Sequence, residues 1–393
     1  MDTAILLDEA PAEVSRFEVP PRRRLVPRLF MWLMRGIASA VGWVFGMVSL
    51  VLGLAVLSST PVLQFLSLGY LLESSARVAR SGRLRDGVFG VRLAGRVGGM
   101  ALGTVVSMVP LWLVSSYAAS AAVIDPGGPA ARGLRLATIA VWGLSCGHVL
   151  TAFLRGGRLR SFLWPFGGPF WLKRKLREGG LLAESTDGFW GFLARFRPAY
   201  YFRLGFVGFV GTFAWIALPS AMIAGTTRFP LLGPIGMLCL AIVAPVIPFL
   251  QTSYAVEGKA SALFGRRAAR ERFRHAPWAF AFALFVLLAA SIPLHLLKIE
   301  MIPREAAWLP GLVFVVFLAP ARLLVGWAYA RSLRRERRSH WFFRLLGKLA
   351  IVPVAVIYVL VIFFSQYTSW GGVWSLFEQH AFLTPAPFLY FDL

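Results

Sequence analysis

In a chain this apolar, chemistry has to start from the few polar groups set among long hydrophobic runs. None of the 18 Asp and Glu residues lies near the centre of such a run, where ion-coupled transporters carry carboxylates. Glu73 and Glu257 come nearest, each three residues after a tyrosine (Tyr70, Tyr254) at the end of an apolar run. A carboxylate there opposes the helix dipole and calls for a compensating cation, which Arg77 supplies to Glu73 at i+4. The functional alternative joins Glu73 and Glu257 in one polar site. Arg322 is the cation set deepest in an apolar run, seven residues before Tyr329 and so about 10 Å inside the helix end. Its long stem predicts snorkelling to headgroups; the alternative is a buried partner for an anionic lipid or substrate group.

His148 and Ser145 share a helix face at i, i+3. A hydrolase would need a base aimed at the serine and an oxyanion hole; neither is visible, so an interhelical hydrogen bond from His148 is expected instead. Glu184 with Asp187 lacks neighbouring metal ligands, and Asp86-Gly87 with Arg92 lacks the repeated acidic ligands of headgroup transferases. Cys146 and Cys239 sit inside apolar runs, without metal-ligand or disulfide spacing. There is no Walker lysine loop, HExxH or dinucleotide fingerprint. The sequence therefore assigns no catalytic residue, no metal site and no cofactor.

The elements that would position these residues are membrane spans. Hydrophobic residues make up 58% of the chain and charged residues 15%, with mean hydropathy +0.67; a soluble domain averages about 45–50% and about 25%. A helix crosses about 30 Å of hydrocarbon with about 20 apolar residues. Met100–Ile124, Leu134–Leu154, Leu204–Gly225, Leu231–Tyr254, Trp278–Leu297, Leu309–Tyr329 and Leu349–Phe364 meet that test. The expected fold is all-α, a polytopic transmembrane helical bundle of about 8–9 spans.

The net charge of +23 would suggest nucleic acid in a soluble protein. Here 35 of the 41 Lys and Arg fall in short clusters between apolar runs, so charge reports topology and nucleic acid is not an expected partner. The positive-inside rule puts the basic segments 73–97, 155–203, 257–276 and 330–348 in the cytoplasm. Residues 1–28, opening with Asp2, Asp8, Glu9, Glu13 and Glu18, read as a cytoplasmic tail rather than a signal peptide. Residues 29–364 form the transmembrane domain, and 365–393 an aromatic-rich tail packed on the outer interface. The chain is expected in the cell (inner) membrane, N-terminus inside and C-terminus outside. Residues 36–72 carry no charge and are too long for one crossing, which predicts a hairpin turning near Met47–Gly53; a single kinked span after an interfacial helix is the alternative.

With that hairpin the chain becomes four hairpins and a final helix, and the returning helices share an ending. Pro61 to Glu73 aligns without gaps on Pro245 to Glu257, with 6 of 13 positions identical. A third copy, Pro320 to Tyr329, keeps the nine-residue offset but has no Glu. Internal repetition of this kind marks pseudosymmetry in membrane proteins. The Pro61, Gly69, Tyr70 helix end followed by Arg77–Arg85 resembles one family of bacterial and archaeal polytopic membrane proteins with no assigned biochemical activity. The resemblance covers the first hairpin and its basic segment, implies the architecture and implies no activity. Interleaved aromatic and basic residues in 155–203 suit an interface with anionic lipid. The functional expectation is a non-catalytic membrane organiser that binds partners or anionic lipids; the alternative is a transporter or permease component for a lipid-like or neutral solute.

Overall fold

A computed structural model describes residues 25–380 apart from 166, 180, 298, 300–305, 307 and 379, and leaves out the side chains of 25–30, 169, 181–186 and 189. The acidic start, most of the segment 298–308 and the end of the aromatic tail lie outside the described residues. The chain divides into a unit of residues 1–42 and one of residues 43–393. In the first, residues 25–42 are helical and 31–42 are exposed throughout.

Among the described residues every regular element is helical, so that each segment pairs its own backbone groups. In chain order the helices are α1 (Leu25–Ser59), α2 (Gln64–Ser81), α3 (Val91–Ile124), α4 (Pro129–Leu154), α5 (Leu159–Leu163), α6 (Gly167–Glu178), α7 (Leu181–Phe196) and α8 (Pro198–Ala224). There follow α9 (Leu232–Val243), α10 (Ile247–Glu257), α11 (Arg266–His275), α12 (Pro277–Ala289), α13 (Ile292–Leu297), α14 (Leu309–Leu333), α15 (Trp341–Thr368) and α16 (Ser375–Glu378). Seven helical stretches are long and apolar enough to cross a membrane, eight with α9 and α10 taken as one span bent by 42°. The segment 155–203 holds α5, α6 and α7.

The first hairpin turns elsewhere than expected. Met47–Gly53 lies inside α1, which runs unbroken to Ser59; the reversal comes at Thr60–Leu63, just before α2. Pro61 starts the reversal, Val62 takes a left-handed φ of 68°, and Ser58 donates across the turn to Ser67 at 2.6 Å. Uncharged glycines at 46 and 53 do not stop a helix whose other residues are apolar and helix-compatible, whereas Pro61 removes a backbone donor. α2 itself is only 18 residues long and carries Glu73, Arg77 and Arg80. Its polarity is tolerated because protein encloses it: Leu68, Leu71, Leu72 and Ala76 are fully buried.

Proline also bends the later spans. Pro245 sits between α9 and α10, with Pro248 in the first turn of α10. The core runs between α8, α9, α10, α12, α14 and α15, and includes Ile216, Leu240, Phe280, Leu284, Leu318 and Ile362. α3 and α4 instead expose most of their apolar side chains, among them Val105, Trp112, Ile139 and Leu144. Part of the tail beyond α15 packs against the protein. Leu376, Glu378 and His380 are buried, with Tyr358 2.5 Å from His380 Nδ1 and Ser220 donating to the Leu376 carbonyl at 2.9 Å.

Candidate functional site

The three repeated segments converge. α2, α10 and α14 pack on one another, and α8 lies along α2. Small residues set the approach. A Cβ on Gly69 would run into the Tyr201 carbonyl, one on Gly205 into the Phe65 carbonyl, and one on Gly326 into the Ser75 carbonyl. α2 therefore lies backbone to backbone against α8 and α14, the mode small residues permit between apolar helices.

At that separation short polar side chains reach across. The hydroxyls of Ser75 and Thr252 are 2.9 Å apart, and Ser253 donates to the Tyr329 hydroxyl at 3.3 Å. A longer chain links three helices: Arg322 Nη1 donates to Gln251 Oε1 at 2.6 Å, and Gln251 Nε2 donates to Thr212 Oγ1 at 2.6 Å. Thr212 in turn donates to the Gly208 carbonyl at 2.7 Å. All seven side chains are buried, and each bond spares a polar group the cost of facing hydrocarbon unpaired.

This geometry corrects the expectation for Arg322. It does not snorkel: it is 1% exposed, because its face of α14 points at α10, where Gln251 accepts from it. Pro320, two residues earlier, is on the exposed face. The prolines of the repeats do not meet in a pocket. Pro61 stands exposed in a turn, Pro245 at a break between helices and Pro320 inside α14, so their shared role is to interrupt backbone bonding.

The two glutamates have separate fates. Glu73 is 5% exposed and accepts from Arg77 Nε at 3.0 Å, Arg80 Nη2 at 3.4 Å and the Tyr200 hydroxyl at 2.8 Å. Arg80 also donates to the Ala255 carbonyl at 3.2 Å, which ties α2 to α10. Arg77 lies 3.8 Å over the ring of Phe89, whose carbonyl accepts from Tyr70 at 2.9 Å. Glu257 closes α10 in an exposed position, so the shared Glu73–Glu257 site is not formed. Tyr254 is buried beside Leu68 and Leu72. His148 Nε2 is 2.7 Å from the Phe162 carbonyl, joining α4 to α5; among the described residues no bond connects it with Ser145. Nor, among them, does any cluster of His, Cys, Asp or Glu suit a metal.

The repeat continues past the glutamates, which the sequence reading missed. α2 ends at Gly82 with φ 71°, followed by extended Arg83 and the 3-10 turn Leu84–Gly87. α10 ends at Gly258 with φ 70°, followed by extended Lys259 and the 3-10 turn Ala260–Phe264. The signal was present as Gly-Arg and Gly-Lys, each followed by Phe-Gly (Phe89-Gly90 and Phe264-Gly265). Only glycine takes the left-handed cap without strain. Ser67, Gln251 and Gly326 likewise occupy one register, six residues after each proline.

Three of the basic segments meet at one end of this assembly. Arg334 Nη2 donates to the Ser81 carbonyl at 2.5 Å, and Arg338 pairs with Glu271 at 2.7 Å. The Ser339 amide donates to the Arg274 carbonyl at 2.9 Å, and Arg272 lies 4.4 Å over the ring of Tyr329. Around these contacts Arg83, Arg267, Arg270 and Arg337 stand exposed. Glu271, held between Arg338 and Arg274, has its carboxyl below the ordinary range, chiefly through the bond from Arg338. Compared with protein-family models, with curated proteins and with solved structures, the chain matches none.

Proposed function

We propose that this chain is a multi-pass membrane protein whose basic end faces the cytoplasm and binds anionic lipid, organising the membrane around it without catalysis. One observation carries the proposal: segments far apart in sequence are laced into a single basic surface through Arg334, Arg338 and Arg274. Topology alone needs arginines on each loop, but it does not need the loops tied together. Cations near an anionic leaflet each contribute about 1 kcal/mol, so a fixed cluster favours anionic over zwitterionic lipid. The buried polar groups of α8, α10 and α14 bond to one another, which supports a structural role for the core.

The test uses the full chain reconstituted in mixed bilayers with spin-labelled phosphatidylglycerol or phosphatidylcholine. The immobilised fraction is expected to be larger for phosphatidylglycerol, and to fall toward the phosphatidylcholine value when Arg83, Arg267, Arg270 and Arg337 are all changed to Gln. An unchanged ratio overturns the proposal. The 42° break between α9 and α10, beside the chain from Thr212 to Arg322, favours a second reading as a transporter of a neutral or lipid-like solute. That reading expects liposome flux altered by Pro245→Ala, and a solute panel without flux removes it.

A further inference from the structure

We propose that the cleft between the start of α12, the end of α14 and the start of α15 is a specific phospholipid site, taking the phosphate of an anionic headgroup at its basic end and an acyl chain along its apolar wall. This rests on the cytoplasmic, lipid-binding reading given above and narrows it from a surface to one site. The cleft has a volume of about 410 Å³ and is lined by Trp278, Phe282, Arg331, Arg335, Ser339 and Phe343.

Charge is the first argument. Arg331 and Arg335 are both exposed, and among the described residues neither forms an ion pair with a carboxylate. Arg331 lies 5.5 Å over the ring of Trp327. Arg335 Nη1 makes only long contacts, 3.3 Å to the His275 carbonyl and 3.5 Å to Ser339 Oγ. A guanidinium offers five N–H donors, so both retain donors for a phosphate, which arginine binds through parallel bonds. Three other basic residues nearby are differently employed: Arg338 and Arg274 are bound to Glu271, and Arg334 to Ser81.

The cleft's wall supplies a second argument. Ala276, Pro277, Trp278 and Ala279 line it at the start of α12, a helix of 13 residues with no side-chain cap. Its free amides add to the positive potential that the two arginines create. Below them Trp278, Phe282 and Phe343 are 50%, 51% and 50% exposed. One helical turn separates Trp278 from Phe282, so the apolar surface runs away from the charges along the helix axis. A free phosphate ester would use the arginines and leave those rings uncovered. A phospholipid satisfies both ends.

The experiment is native mass spectrometry of the full-length protein, delipidated in detergent and titrated with phosphatidylglycerol or phosphatidylcholine. The wild-type chain is expected to retain one phosphatidylglycerol with at least tenfold preference. Arg331→Gln with Arg335→Gln is expected to weaken that retention at least tenfold, while Arg132→Gln with Arg135→Gln, exposed residues outside the basic surface, leaves it unchanged. Arg331→Lys with Arg335→Lys, which keeps the charge, is expected to keep most of the binding and guards against misfolding. Retention by the Gln cleft variant equal to wild type overturns the site, and if the spin-label ratio still falls in the surface variant, the broader lipid reading survives. No preference for phosphatidylglycerol in either experiment removes both. Displacement of the lipid by glycerol 1-phosphate at equal concentration also overturns the proposal, since it would mark a site for a free phosphate ester.

Discussion

The first and second repeats start from the same residues and end differently. Both read Pro, six residues to a polar or small side chain, three more to Tyr, three more to Glu, then a left-handed glycine and a 3-10 turn. In the first, the helix runs on for eight residues past Glu73 to Ser81, and Arg77 and Arg80 come round to cover the carboxylate. In the second, the helix stops at Glu257. The same glutamate is therefore a buried ion-pair partner in one copy and an exposed end residue in the other. Helix length, set by where glycine falls, decides which. The register six residues after the proline diverges as well: Ser67 makes one short bond to α1, whereas Gln251 bridges α14 and α8.

The largest expected effect comes from breaking that bridge. Gln251→Leu takes the amide acceptor from the buried Arg322 guanidinium, and leaving a buried charged group short of an acceptor costs more than the about 1–3 kcal/mol of a neutral one. Arg322→Met removes the charge itself and takes one donor from the neutral Gln251 amide oxygen, about 1–3 kcal/mol. Thermal unfolding in detergent should rank Gln251→Leu well below Arg322→Met, and the double variant close to Arg322→Met alone. Equal losses from the two single changes would show that the guanidinium does not depend on Gln251. The matching change in the first copy, Ser67→Ala, is expected to cost about 1 kcal/mol, the worth of one hydrogen bond.

A middle-sized effect separates the two glutamates. Glu73→Gln keeps the shape but removes the charge that Arg77, Arg80 and Tyr200 approach, and should cost about 1–2 kcal/mol. Glu257→Gln, at an exposed helix end, should stay within about 0.5 kcal/mol. A similar loss at both positions would erase the distinction drawn between the repeats.

The architecture was legible because its cause is local. Each run of about 20 apolar residues is helical, as a run long enough to span a bilayer is expected to be, and the bounds moved mainly outward, as at Val91 for α3 and Thr368 for α15. The first turn was misplaced because absence of charge was weighed over Pro61, the residue that interrupts the backbone. Arg322 was misjudged for a different reason. Its depth along the helix could be read from spacing, but the direction it faces depends on which helices pack against α14. Gln251 could have been suspected as a large polar residue in an apolar run, yet its partners lie 39 and 71 residues away. The Glu73–Arg77 pair, four residues apart, needed no tertiary knowledge and was formed as expected.

The smallest expected effect concerns how each repeat anchors its basic segment. The first uses buried Glu73, while the segment after the second uses Glu271, which lies open to solvent with Arg338 and Arg274 as partners. The folded carboxyl of Glu271 titrates below its ordinary value of 4.5, first because Arg338 donates to it. A depressed carboxyl contributes its full stabilisation above the unfolded value and loses it as pH falls through the folded one. The contact between α11 and the 334–339 segment should therefore be constant from neutral pH down to about 5 and loosen only in stronger acid. Spin labels at Arg267 and Arg337 would report this as a broadened distance distribution. Arg338→Gln raises the carboxyl toward its ordinary value and should move the loosening to higher pH, with high salt acting in the same direction through screening. A distribution insensitive to pH, salt and Arg338→Gln would mean that backbone contacts such as Ser339 to Arg274 hold the surface together, and that the exposed ion pair contributes nothing to it.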